Sequence, residues 1–187
     1  ILTGSRGVGK TSTARIIAKG LNCEDLEKKD SPTIDPCGVC SSCVSITESR
    51  HIDVIEMDAA SRTGVSDVRE IIENVDYKTV SARFKVYIID EVHMLSNSAF
   101  NALLKTLEEP PGHVKFIFAT TEITKIPATV ISRCQRFDLS RIESSKISRH
   151  LEAICNKENI SFASNALSLI SNAADGSLRD ALSMLDQ

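Results

Sequence analysis

What the sequence lacks narrows it first. No apolar run approaches the roughly 18 residues that a membrane-spanning helix needs, and no segment repeats or falls to low complexity. Transmembrane, collagenous and disordered classes are excluded on that ground. Neither sign of charge dominates: 22 Lys and Arg stand against 25 Asp and Glu, a formal net charge of −3. No uniformly basic surface therefore announces nucleic acid, although a local basic stripe is compatible with the balance. Six cysteines in 187 residues are too few for a disulfide-stapled miniprotein. No charged segment leads into an apolar one at Ile1-Leu2-Thr3, so nothing resembles a secretory leader, and the chain reads as a piece of something longer. The four histidines, His51, His93, His113 and His150, are scattered without ligand spacing and receive no role.

What is present is an ordinary globular composition, 42% hydrophobic and 25% charged, with length for one or two domains. Short, β-branched or aromatic runs at 52–57, 85–90, 115–119 and 135–139 predict strands, several apolar enough to be buried on both faces of a parallel sheet. Between them, helices are expected at about 10–21, 65–75 and 97–108, the last capped by Ser96 and stopped by Pro110-Pro111. Strands alternating with helices imply an α/β domain. Beyond residue 140 the strand signal ends, and helical patterns follow at about 144–157, 163–173 and 177–186. In the first of these, Ile147, Leu151, Ile154 and Cys155 form one apolar face.

Gly4-Ser5-Arg6-Gly7-Val8-Gly9-Lys10-Thr11 fits G-x-x-x-x-G-K-[ST] between an apolar segment and a helix, the context that this motif requires. Its backbone N–H groups can converge on phosphate, Lys10 can reach the β- and γ-phosphates, and Thr11 can ligate Mg²⁺. The strand at 85–90 ends in Asp90 followed by Glu91. Asp90 is suited to holding Mg²⁺ through water and Glu91 to orienting and deprotonating an attacking water. A second acid favours hydrolysis over mere binding.

Cys37, Cys40 and Cys43 are spaced by two residues each, with Cys23 upstream across a polar loop. Four thiolates suit a tetrahedral, structural Zn²⁺ with no position left for water. Disulfides and an iron–sulfur cluster are the alternatives, and a reducing cytosol disfavours bridges. Cys134 and Cys155 read as buried thiols.

With these motifs the chain resembles the AAA+ ATPases, and among them the ATPase subunits of bacterial clamp loaders. The resemblance rests on residues 4–11, the spaced cysteines, Asp58-Ala-Ala-Ser-Arg62, Asp90-Glu-Val-His-Met94, Leu103-Leu-Lys-Thr-Leu-Glu-Glu-Pro110, Ala119-Thr-Thr121, Ser132-Arg-Cys134 and Gly176-Ser-Leu-Arg-Asp-Ala181. It implies an α/β P-loop AAA+ parallel-sheet domain at 1–140 with a zinc module inserted at 22–46, then a three-helix lid at 141–187. It implies a sensor role for Thr121 against the γ-phosphate, a second sensor in Arg179 on the lid, and an arginine finger in Arg133 that enters the neighbouring subunit's site. Arg62, Arg69 and Lys105 match basic positions that follow the DNA backbone. The activity implied is ATP hydrolysis to ADP and phosphate, with Mg²⁺, in a hetero-oligomeric ring that contains copies of the chain. That ring loads a sliding clamp onto primed DNA within a cytoplasmic, nucleoid-associated DNA polymerase holoenzyme, a DNA-directed nucleotidyltransferase. The family carries further sequence on both sides, including an adenine-pocket stretch and a collar. The competing readings are a nucleotide-binding scaffold without turnover and a small P-loop kinase.

Overall fold

The computed structural model describes residues 1–24, 31–61 and 65–187. Its elements follow in the order β1 (Leu2–Thr3), α1 (Lys10–Asn22), α2 (Ser41–Thr47), β2 (Val54–Asp58), α3 (Val65–Val75), β3 (Lys85–Asp90), α4 (Asn97–Glu108), β4 (Val114–Thr120), α5 (Ala128–Ile131), β5 (Phe137–Asp138), α6 (Ser144–Lys157), α7 (Ser164–Ala173) and α8 (Leu178–Leu185). Single turns of 3₁₀ helix cover Val92–Met94 and Ile123–Lys125. The chain divides into two compact units, one of Ile1–Thr3 and Thr11–Phe137, the other of Gly4–Lys10 and Asp138–Gln187.

The five strands lie in the order β2-β3-β4-β1-β5. The pairs β2/β3, β3/β4 and β4/β1 are parallel, and Thr3 at the end of β1 stands opposite Thr120 at the end of β4. In β3 the residues before Asp90 are buried on both faces, the environment that selects a continuous Val/Ile/Tyr run. Tyr87 and Ile89 join Val68, Ile71, Phe100, Leu103 and Phe118 in a core under α3 and α4. Ser96 caps α4, its hydroxyl accepting the Ala99 N–H at 3.3 Å. The strand foreseen at 135–139 shrinks to Phe137–Asp138, because its partner β1 offers only two residues to the ladder. The Phe137 N–H still bonds the Ile1 carbonyl at 2.8 Å.

A buried carboxylate organises the entry to β3. Asp53 is 1% exposed and accepts N–H bonds from Val80, Ser81 and Ala82 at 2.8–3.1 Å. Burial alone would raise its pKa, but these donors outweigh burial and hold the group below the ordinary carboxylate value. The same segment continues to Arg83, which donates to the carbonyls of Leu21 (3.1 Å) and Cys23 (2.6 Å), and to Phe84, which exchanges bonds with the Asn22 side chain at 2.9 Å each way. The end of α1, where Cys23 stands, is thereby tied to the strand that ends in Asp90.

In the second unit α6, α7 and α8 pack pairwise around Ile147, Leu151, Cys155, Leu167 and Ala181. Ile147, Leu151 and Cys155 are buried as their spacing foretold, with Ile154 half-buried beside them.

Candidate nucleotide site and cysteine cluster

The glycine loop belongs to the same compact unit as the three helices. Gly7 takes φ 76°, and a Cβ there would lie 1.9 Å from Ser177 Oγ, so both conformation and space select glycine. The Leu178 N–H, at the start of α8, donates to the Gly7 carbonyl at 3.1 Å. Lys10, 6% exposed, turns its ammonium back onto the carbonyls of Gly4 and Ser5, each at 3.0 Å. Arg179 stands exposed in the first turn of α8, with its Cβ 3.4 Å from where a Gly7 Cβ would be. This unit thus carries Lys10 and Arg179 on neighbouring backbone.

In the sheet unit a second constellation forms at the carboxyl ends of β3 and β4. The Thr11 hydroxyl donates to Asp90 Oδ2 at 2.5 Å, and the Glu91 N–H donates to Asp90 Oδ1 at 2.9 Å. A hydroxyl and a carboxylate this close fit two donors to one octahedral Mg²⁺, whose adjacent ligand oxygens stand about 2.9 Å apart for metal–oxygen bonds of about 2.05 Å. Glu91 adopts the left-handed conformation (φ 45°, ψ 45°) as the chain turns from β3 into the 3₁₀ turn. For a non-glycine residue this costs on the order of 1 kcal/mol and is a recurrent feature of functional sites. The turn swings the Glu91 carboxylate toward β4, where Oε2 accepts the Thr121 N–H (3.2 Å) and hydroxyl (3.0 Å). Thr11, Asp90, Glu91 and Thr121 are therefore one cluster.

Sequence reasoning missed His93. Its side chain is 5% exposed, and Nδ1 lies 2.9 Å from Thr120 Oγ1 and 3.3 Å from Glu91 Oε2, with Nε2 3.5 Å from Glu122 Oε1. Glu122 is held below its ordinary pKa first by the Lys125 ammonium at 2.8 Å, with His93 as a lesser cause. The signal available was proximity: His93 stands two residues past Glu91 in a segment that must turn.

Arg133 lies elsewhere. It is exposed just beyond α5, paired with Glu108 at the end of α4, and donates to the Thr129 carbonyl at 2.7 Å. These partners do not include the acid cluster. Arg69 on α3 and Lys105 on α4 are exposed, and α3 packs against α4; Arg62 lies outside the described residues. Cys134, expected to be buried, is half-buried, because it sits in the turn after α5 and meets the core on one side only. Burial on that side still raises its thiol pKa.

The sulfurs of Cys23, Cys37, Cys40 and Cys43 all lie within 4.8 Å of one another. Four sulfurs at about 2.3 Å from a tetrahedral Zn²⁺ would stand about 3.8 Å apart, so the cluster fits the ion with little adjustment. The pair Cys23 and Cys37 is 3.6 Å apart, and all six cysteines are free thiols. Backbone N–H groups already point at these sulfurs, from Cys37 to Cys23, Cys40 to Cys37 and Cys43 to Cys40, at 3.3–3.4 Å. N–H donation from Val39 and Cys40 draws the Cys37 thiol down to about 7, whereas burial pushes Cys43 up to about 12. A divalent cation at the centre would reverse the second shift by making thiolate the favoured form. The module includes a helix the spacing did not foretell, α2, with Cys40 as its N-cap. It is tied to the sheet through His51: the Asp53 N–H donates to Nδ1 at 3.0 Å, which leaves Nε2 to donate to Ser42 Oγ at 3.2 Å.

The family model "DNA polymerase III, delta subunit" matches residues 1–143, and "DNA polymerase III clamp loader subunit, ATPase lid domain" matches residues 146–187. The chain belongs to the DNA polymerase III clamp-loader family. It is 56% identical over 187 residues to the DNA polymerase III subunit tau of Salmonella typhimurium and 52% identical over 187 residues to that of Bacillus subtilis, covering all of this chain and 28% and 32% of those proteins. It is 50% identical over 186 residues to the subunit gamma of Buchnera aphidicola, spanning half of that protein. The Thermotoga maritima RuvB Holliday junction branch migration motor shares the fold, with a TM-score of 0.66 at 16% identity over 99% of this chain and 52% of that one. The architecture is that of an AAA+ P-loop domain with a parallel sheet, an inserted cysteine module and a three-helix lid. That fold implies binding of nucleotide and Mg²⁺, and the cysteine cluster suggests zinc. No helix among the described residues is long and apolar enough to cross a membrane.

Proposed function

We infer that the chain is the ATP-hydrolysing core of a clamp-loader subunit, converting ATP and water to ADP and phosphate. The observation that carries this reading is the Glu91 carboxylate, held by Thr121 and adjacent to the Thr11–Asp90 pair. In it, the N–H groups of residues 4–11 cradle the phosphates, and Lys10 leaves the Gly4 and Ser5 carbonyls for the β- and γ-phosphates. Thr11 and Asp90 would hold Mg²⁺, which when bound neutralises charge developing between the phosphates. Glu91 orients the attacking water and takes its proton, while Thr121 reports on the γ-phosphate from the end of β4. Arg179 reaches the γ-phosphate from the lid, so that the lid responds to nucleotide state. Arg133 exchanges Glu108 for the nucleotide of a neighbouring copy, as a finger whose full charge acts only in the assembly.

The cysteine module at 22–46 holds Zn²⁺ through Cys23, Cys37, Cys40 and Cys43 in a structural role. ATP binding at subunit interfaces grips a sliding clamp, and Arg62, Arg69 and Lys105 follow the phosphate backbone of primed DNA, giving affinity without base specificity. Hydrolysis then releases a closed ring, in the bacterial cytoplasm at the nucleoid. The test is the ATP turnover of the full-length assembly with and without primed DNA and clamp. Turnover stimulated by both supports the reading, and an assembly that binds ATP without turning it over contradicts it.

A further inference from the structure

Glu91 cannot orient water unless its own two oxygens are fixed, and Thr121 reaches only one of them from one side. The ring of His93 approaches the same oxygen, with Nδ1 3.3 Å away. It is buried, its Nδ1 also lies 2.9 Å from the Thr120 hydroxyl, and its Nε2 lies 3.5 Å from Glu122 Oε1. Thr120 is itself fully buried, and its hydroxyl accepts the Glu122 N–H at 3.0 Å, so the ring's anchor cannot drift. The imidazole thus bridges the turn after β3 to residues 120–122, which also present Thr121.

We propose that His93 is the positioning residue of Glu91: with Thr121 it clamps Oε2, so that Oε1, which has no donor among the described residues, faces the attacking water. The inference rests on the reading of Glu91 as the hydrolytic base. It assigns work to a histidine that the motif spacing leaves without a role. A carboxylate held at one oxygen by the two Thr121 donors, with the imidazole Nδ1 3.3 Å from the same oxygen, has one usable direction for the other. Released from the ring, the side chain of Glu91, 30% exposed, regains rotamers that point away from the nucleotide. Displacement of about 1 Å in such a group costs on the order of a hundredfold in rate.

The experiment uses the full-length subunit assembled with its partner subunits, turning over ATP with primed DNA and clamp. His93→Ala is expected to lower kcat about tenfold to hundredfold while KM and the affinity for a fluorescent ATP analogue change by less than about threefold, because the ring does not touch the phosphates in the ground state. His93→Asn, whose amide nitrogen can replace Nδ1, recovers most of kcat; His93→Gln, which reaches toward the place of Nε2, recovers less. In a Glu91→Gln background His93→Ala costs nothing further. A purely structural ring would instead lower the melting temperature and leave turnover per folded molecule unchanged, and that result overturns the proposal. So does equal turnover of the Asn and Gln variants, a comparison that decides the matter should His93→Ala fail to fold. Glu91→Gln with undiminished turnover would overturn the reading of Glu91 itself, a failure distinct from that of the ring.

Discussion

Replacing Asp53 by alanine perturbs a side chain far from any phosphate, and its effect can be worked out from the structure. The carboxylate is 1% exposed and satisfies the N–H groups of Val80, Ser81 and Ala82. An unsatisfied buried donor costs about 1–3 kcal/mol. Asp53 and Val80 also line a cavity of about 280 Å³, so water can enter and partly satisfy the donors, which favours the low end of that range. The expected loss is about 3 kcal/mol for the three N–H groups, or a fall in Tm of roughly 6–12 °C for a chain of this size. Asp53→Asn keeps one accepting oxygen but turns an NH₂ toward a backbone donor, so it falls between the two. The pH dependence has a definite sign. Because the folded pKa lies below the ordinary value of 3.8, the contribution of Asp53 is complete above that value and is lost as pH falls through the lower folded one. Thermal melts from neutral pH to about pH 2 check this: wild type and Asp53→Ala should converge as the pH drops. A difference in Tm that is constant through the acid range, or absent at pH 7, would refute the accounting.

The cysteine cluster predicts about one zinc per chain by elemental analysis, and Cys40→Ser should lose the metal and the order of α2 while sparing the sheet; a metal-free protein that melts unchanged contradicts the assignment. Arg133→Ala should lower ATP turnover of the assembly by about 10³-fold or more, with nucleotide affinity of the isolated chain unaltered; an effect equally large in the monomer would mean that the arginine acts within its own subunit. Charge reversal at Arg69 and Lys105 should weaken DNA stimulation and reduce the salt slope by about one unit for each DNA phosphate that is no longer neutralised, and stimulation unchanged at moderate salt would place DNA elsewhere.

The helices at 65–75, 97–108 and 144–157 were legible because an amphipathic stripe, a serine cap or a proline stop marks each of them. The glycine loop, the acidic pair and the four cysteines were legible because their chemistry needs fixed spacing. The strand order was not, since the placement of β1 between β4 and β5 is decided by pairing of segments more than 100 residues apart. Helix α2 escaped notice in a polar segment with little apolar periodicity; its stability comes from Cys40 as cap and from contacts such as Ser42 with His51. Asp53 and His93 were invisible for a related reason. Each finds its partners about 27 residues away, Asp53 in the turn before β3 and His93 at the end of β4, and no local pattern records such a contact.

The central claim is that Glu91 drives hydrolysis at a nucleotide held by the glycine loop, and Glu91→Gln in the full-length assembly tests it most directly. The substitution keeps the shape of the side chain and its contact with Thr121 but removes the base. ATP affinity should stay within about threefold of wild type while turnover falls by about 10²–10⁴-fold. Undiminished turnover, or loss of ATP binding in step with turnover, would contradict the account.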